Sequence, residues 1–131
     1  HAGAGRCITV CSCTRSICIL GGEHRSGRPQ NRKMIGAGCN FCLGNDNVMF
    51  VPPDMFAECS FLTTVYKLSP EEILSMATGG FSLLGRKGII EEGEPANLIC
   101  LDPGYVKEWT QSPALSLVSR IGSRSVRSVY S

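Results

Sequence analysis

The stretch that decides the fold is Met34-Ile-Gly-Ala-Gly-Cys-Asn-Phe-Cys-Leu-Gly-Asn-Asp-Asn47. Its apolar segment, Cys39 to Leu43, is typical of a buried strand, and Gly44 ends that strand. Asp46 follows two residues later, between two asparagines. Because α/β barrels place their active sites at the carboxyl ends of their strands, an acid in this position is a candidate catalytic group.

The composition is that of a globular chain. Its 131 residues suffice for one domain, and a charged fraction of 18% with a hydrophobic fraction of 43% excludes a disordered protein. No window reaches the roughly 18 apolar residues that a membrane-spanning helix needs. The net charge of +2 gives no drive toward nucleic acid. We therefore expect a cytoplasmic protein that binds neither a membrane nor a nucleic acid.

The first residues show no secretory signal and no initiator methionine. We therefore expect that the first residue is not the start of translation.

The eight cysteines allow two interpretations. Several lie inside apolar runs, where cysteine behaves as a small hydrophobic residue, and this favours reduced thiols in the cytoplasm. Alternatively, Cys39 and Cys42 could form one half of a zinc site, with Cys11 and Cys13 as the other half. Because residues three apart on a strand point to opposite faces, we prefer the reduced thiols.

The first two thirds of the chain alternate between strand and helix patterns. Residues 7–20 are β-like, and residues 31–35 predict a short helix that glycines end. Asp54 is a good N-cap for a helix whose broad apolar stripe we assign to the core. The segment Ser69-Pro-Glu-Glu72 is a capping box with proline at the first helical position, and it predicts the start of another helix.

Only strand patterns follow from about residue 86 onward. They cover residues 85–93, 96–101, 115–121 and 126–130. This change predicts a boundary, with an α/β part over residues 1–85 and a β module over residues 86–131.

Four segments resemble the amidohydrolase superfamily, in particular its cytosine-deaminase and chlorohydrolase-like branch. Residues 32–47 are similar to the family's helix, glycine and strand followed by Leu-Gly-Thr-Asp, and Asp54-Met-Phe-Ala-Glu58 is similar to the next helix. Residues 69–85 resemble Pro-Glu-Glu-Ala-Leu…Ala-Thr…Leu-Gly. Residues 88–102 resemble Gly-x-Ile-x-x-Gly-x-x-Ala-Asp-Leu-x-x-Leu-Asp. Together, in order and correctly spaced, these matches are specific and cover about residues 8–130.

The resemblance implies the carboxyl-terminal part of such a protein. Residues 1–85 would be the last βα units of a (β/α)8, TIM-like barrel, and residues 86–131 the strands of a small β-sandwich domain. It also implies one or two divalent metals, zinc or iron, held by an H-x-H pair and further histidines. Members of this branch use metal-activated water to cleave C–N or C–halogen bonds of small cyclic substrates, and homo-oligomers are common among them.

Asp46 matches the acid that completes the metal site of the family. The resemblance therefore makes Asp46 the predicted catalytic residue and metal ligand, with Ser16, Asn45 and Asn47 as candidate substrate contacts. A carboxylate beside a bound cation can accept a proton from the attacking water and pass it to the leaving group.

The chain also departs from the family pattern. It has no H-x-H, and its only histidines are His1, which we leave unassigned, and His24, which we interpret as solvated in a charged loop. Asn45 stands where Thr or Ser is usual, and Ile17 stands where the family often has Asn. Because a catalytic zinc needs about three protein ligands, we expect this chain to be inactive by itself. The alternatives are a non-catalytic family remnant with a structural or binding role, and the cysteine-based zinc module.

Overall fold

The structure is a computed structural model that describes residues 8–20, 31–104 and 112–131. Both histidines and the charged loop around His24 lie outside these described residues. In chain order the strands and α-helices are β1 Thr9–Ser12, α1 Thr14–Ile19, α2 Asn31–Gly36, β2 Asn40–Leu43, α3 Met55–Phe61, α4 Pro70–Thr78, β3 Leu98–Leu101, α5 Pro113–Ser119 and β4 Val126–Tyr130. A π-helical turn, Leu62–Tyr66, continues α3, and the 3-10 segments Gly79–Leu84 and Ser123–Ser125 follow α4 and precede β4.

The strands form two pairs of opposite type. β1 and β2 are parallel, with Thr9 opposite Asn40 and Ser12 opposite Leu43. The Gly44 N–H donates to the Ser12 carbonyl at 3.1 Å, so the pairing extends just past the end of β2. β3 and β4 are antiparallel, with an irregularity between Cys100 and Leu101. The predicted combination of α and β structure is confirmed.

The core lies between β2 and the helices α3, α4 and α5. Eight residues form one buried apolar cluster: Phe41, Leu43, Cys59, Leu62, Leu68, Ile73, Met76 and Val118. The apolar stripe of α3 and its π-helical continuation belongs to this cluster, as the sequence predicts. Because Val118 lies on α5, the helical layer also includes a residue from the last third of the chain.

Local capping starts α3 and α4 as predicted. The Asp54 carboxylate accepts from the backbone N–H groups of Phe56 at 2.9 Å and Ala57 at 3.4 Å. Ser69 Oγ accepts from the Glu72 N–H at 3.2 Å, and the Glu72 carboxylate accepts from the Ser69 N–H at 2.7 Å. Such caps satisfy backbone donors that have no partner within the helix.

Several strand predictions need correction. Residues 14–19 form the helix α1, so the β-like pattern of residues 7–20 holds only for its first part. Residues 113–119 form the helix α5 rather than a strand, because Ser112 caps the Leu115 N–H and Pro113 occupies the first turn. The strand predicted over residues 96–101 is present as β3, and none of its four residues is buried.

The strand predicted over residues 85–93 is also absent. Gly88 and Gly93 have φ angles of +65° and +90°, which interrupt an extended strand. A Cβ atom on Gly88 would lie 2.8 Å from the Thr78 carbonyl, so only glycine fits here without a shift. Lys87 pairs with Glu91 and Glu94 across the resulting turns.

Among the described residues, no helix has the length and apolarity needed to span a membrane.

Candidate active site

Asp46 lies on the loop that leaves the carboxyl end of β2. The loop starts at Gly44 and turns at Asn47, whose carbonyl accepts from the N–H groups of Phe50 at 3.1 Å and Val51 at 2.9 Å. The Asp46 side chain is exposed. The carboxylate therefore stands at the end of a parallel strand and is open to solvent.

Both neighbours of Asp46 are anchored to other elements. Asn45 Nδ2 donates to Glu58 Oε1 on α3 at 3.2 Å. The Asn47 N–H donates to Ser16 Oγ on α1 at 3.0 Å, and Ser16 is 1% exposed. These two bonds attach the loop to the helices that follow each parallel strand, so the position of Asp46 is defined by tertiary contacts.

Glu58 connects the two helices under the loop. Its side chain is 0% exposed, and its Oε2 accepts from the backbone N–H of Arg15 in the first turn of α1 at 3.3 Å. Arg15 Nη1 lies 3.8 Å from Glu58 Oε1 and also donates to the Pro52 carbonyl at 3.3 Å. Burial raises the pKa of Glu58, while the Arg15 N–H, the Arg15 charge and the Asn45 amide act in the opposite direction.

This carboxylate also explains the helix that the sequence reading missed. The N-cap residue of α1, Cys13, makes no side-chain capping bond, so Glu58 from α3 accepts from a first-turn N–H instead. A cap supplied from 43 residues away leaves no local sequence signal. One sequence feature could have indicated this contact: Glu58 is an acid within the apolar segment of α3, and a buried acid needs a hydrogen-bond partner from elsewhere in the chain.

The sequence model of the amidohydrolase family matches residues 4–130. The chain belongs to the amidohydrolase family. It is also similar to a protein of Methanothermobacter thermautotrophicus named "Putative aminohydrolase", with 36% identity over 124 residues that cover 90% of this chain and 30% of the relative. The chain thus spans less than a third of the length of the relative that it matches. No solved structure matches it.

The four predicted site residues lie on or against one loop. Asp46 is exposed on it between Asn45 and Asn47, and Ser16 accepts from the Asn47 N–H. The Asn47 side-chain oxygen accepts from the Met49 N–H at 3.1 Å, and this bond stabilises the turn that follows Asp46. Contact of any of these side chains with a substrate stays a prediction. Arg15 and Glu58 are the two further residues that the sequence reading did not assign to the site.

The described residues do not complete a metal site. Within residues 8–20, 31–104 and 112–131, no group of three or more His, Cys, Asp or Glu side chains is arranged to hold a metal ion. Within the same residues the four-cysteine arrangement is also not formed, and Cys39 packs against the buried core cluster. Asp46 alone therefore does not fit the divalent metal that the family resemblance implies.

Proposed function

We propose that this chain is the carboxyl-terminal part of a longer metal-dependent hydrolase and that it contributes Asp46 to the active site. The observation that carries the proposal is the position of Asp46 in an amidohydrolase chain. Its loop follows a parallel strand and is anchored on both sides, while its carboxylate remains exposed. An exposed, positioned carboxylate at this end of a strand is suited to acid–base chemistry.

We further propose that β1, β2 and their helices are the last βα units of a (β/α)8 barrel over residues 1–85. The parallel pairing of β1 and β2, with helices packed on β2, supports this arrangement. Residues 86–131 would provide strands of the small β-sandwich domain, supported by the antiparallel pair β3 and β4. In this arrangement α5 returns to the helical layer of the first part, since Val118 packs there.

The chemistry we propose for Asp46 is proton transfer during hydrolysis of a small cyclic substrate. The carboxylate would accept a proton from the attacking water and deliver it to the leaving group. The relative's name favours an amine over a halide as that leaving group. The ligands of a zinc or iron ion would then come mainly from parts of the longer protein that this chain does not contain. Homo-oligomer formation and a cytoplasmic location stay predictions.

The decisive experiment compares two carboxylate substitutions in the complete protein, Asp46→Asn and Asp102→Asn. Asp102 is a suited control because it also follows an apolar strand, β3, but pairs with Arg127. We expect Asp46→Asn to lower kcat by at least about 100-fold, because general acid–base groups contribute roughly 10²–10⁴ in rate. Asp102→Asn should leave kcat near wild type. The assay is release of ammonia or chloride from amino- and chloro-substituted heterocycles, with bound metal measured in parallel.

Each outcome of that comparison decides between the candidate functions. Wild-type activity in the Asp46→Asn variant, with its thermal unfolding unchanged, contradicts the role of Asp46. A complete wild-type protein with neither bound metal nor activity would favour the non-catalytic remnant with a structural or binding role. Equal losses in both variants would indicate a general structural defect instead of a catalytic role.

A further inference from the structure

Three cysteine side chains gather beneath the loop that carries Asp46. Cys11 on β1 and Cys42 on β2 are directly opposite each other in the parallel pair. Paired strands lie about 4.8 Å apart, which falls inside the roughly 4.4–6.8 Å between Cα atoms that a disulfide requires. Cys13 follows two residues after Cys11, so it reaches the same region from the end of β1.

Gly44 shows how closely the sulfurs crowd this position. A Cβ atom on Gly44 would lie 2.6 Å from Cys11 Sγ and 3.0 Å from Cys13 Sγ. The two sulfur atoms therefore occupy the space that a side chain at Gly44 would take. Any larger residue at the start of the Asp46 loop would displace one of the two thiols.

Cys11 is the centre of this cluster. Burial raises the pKa of the Cys13 thiol to about 11, and the neighbouring Cys11 adds to the rise through its charge and a hydrogen bond. Burial also raises the pKa of the Cys42 thiol, again with a hydrogen bond to Cys11. Cys11 is exposed while Cys42 is 5% exposed. Cys11 is therefore the more accessible of these two thiols in this chain.

We propose that Cys11 and Cys42 form a redox-active pair that closes to a disulfide when the protein meets a small disulfide such as oxidised glutathione. Cys42 is the preferred partner because it faces Cys11 in register from a separate strand. A Cys11–Cys13 disulfide would instead close a small ring across one intervening residue and strain the strand. The inference does not depend on the catalytic role of Asp46.

The reaction balances as two thiol–disulfide exchanges. The Cys11 thiolate attacks one sulfur of oxidised glutathione, the S–S bond breaks, and one glutathione leaves as a thiol. The Cys42 thiolate then attacks the Cys11 sulfur of the mixed disulfide and releases the second glutathione. The two protein thiols lose two electrons, and one oxidant molecule becomes two thiols that carry the two protons. The raised pKa of Cys42 makes this second exchange the slower one, since a smaller fraction is thiolate.

The test treats the complete, natively folded protein with oxidised glutathione, blocks free thiols, and maps disulfides by peptide mass spectrometry. We expect a Cys11–Cys42 cross-link that a reductant reverses. Cys42→Ser should lose the cross-link and accumulate a glutathione adduct on Cys11. Cys100→Ser is the matched control, because Cys100 is also an exposed strand cysteine but lies on β3, and it should leave the cross-link unchanged.

Three results would overturn the proposal. One is the absence of any Cys11 disulfide or adduct under conditions in which Cys100 reacts. Another is a Cys11–Cys13 bond as the main product. The third is persistence of a Cys11 cross-link to a different cysteine in the Cys42→Ser variant at the wild-type level.

Discussion

Two short strands of this chain have nearly the same sequence and end in different environments. β2 contains Phe-Cys-Leu at residues 41–43 and β3 contains Ile-Cys-Leu at residues 99–101. All three residues of the β2 triplet are buried, whereas Ile99 is 52% exposed and Cys100 is exposed. The helix α4 and the 3-10 segment that follows it contact β2, and α3 and α5 pack against α4 in the same buried cluster. β3 contacts chiefly β4. An apolar triplet therefore predicts a strand, but the covering layer decides whether that strand is core.

An acid follows each of these strands, and the two acids also differ. Asp102 forms an ion pair with Arg127 of β4 and accepts from the Gly104 N–H at 2.8 Å. The loop around Asp46 is fixed instead by bonds from its neighbours to Ser16 and Glu58, which leaves the Asp46 side chain exposed. The comparison shows that a positioned loop with an exposed carboxylate distinguishes the candidate site from a surface ion pair.

The largest effect is expected from removing core volume beside β2. Ile73 of α4 is 0% exposed and belongs to the cluster that covers β2. Ile73→Ala should lower the free energy of unfolding by about 2–5 kcal/mol, because it removes buried methyl groups and leaves a cavity. Ile99→Ala on β3 should cost clearly less. Urea denaturation of the complete protein measures both, and equal losses would refute the contrast between the two strands.

A smaller effect is expected from removing the buried acid that connects α1 and α3. Glu58→Ala leaves the Arg15 N–H and the Asn45 amide without their acceptor, which should cost about 1–3 kcal/mol. Glu58→Gln keeps an acceptor oxygen and should cost less. Asp102→Ala, at the end of β3, is the exposed counterpart and should have the weakest effect on thermal unfolding. A larger loss of stability in Asp102→Ala than in Glu58→Ala would contradict the claim that the buried acid contributes more to the fold than the exposed one.

The smallest effect is a difference in the pH dependence of the two acids. Burial raises the pKa of Glu58 above 4.5, so the folded state binds the proton more tightly. The stability advantage of wild type over Glu58→Gln should therefore fall as pH rises from 4.5 through the raised pKa. The Arg127 hydrogen bond lowers the pKa of Asp102 below 3.8. The stability advantage of wild type over Asp102→Asn should therefore fall as the pH decreases from 3.8 through that lowered pKa. The measurement is the difference in denaturation midpoint between wild type and each variant, from acid to neutral pH. This difference should decrease with pH for Glu58→Gln and increase with pH for Asp102→Asn, and the same sign for both would contradict the prediction.

Sequence reasoning worked best where the deciding contacts are local. The caps at Asp54 and Ser69 act within three residues, so they are visible in the order of the residues. The apolar content of residues 115–121 predicts a strand, but the equally local pair Ser112-Pro113 starts the helix α5 there. The strand predicted near Gly88 failed because a close approach to Thr78 fixes that glycine, and this contact spans ten residues.

The sequence by itself determined the membership of this chain in the amidohydrolase family, the strand β2, the starts of α3 and α4, and the place of Asp46 after β2. Each of these depends on neighbouring residues or on an ordered set of motifs. Only the tertiary structure decided that α1 is a helix, that β2 is buried while β3 is exposed, and that Cys11, Cys13 and Cys42 meet beneath the Asp46 loop. These outcomes depend on contacts between distant segments, such as Glu58 with Arg15, and burial and hydrogen bonding across such distances override local preference.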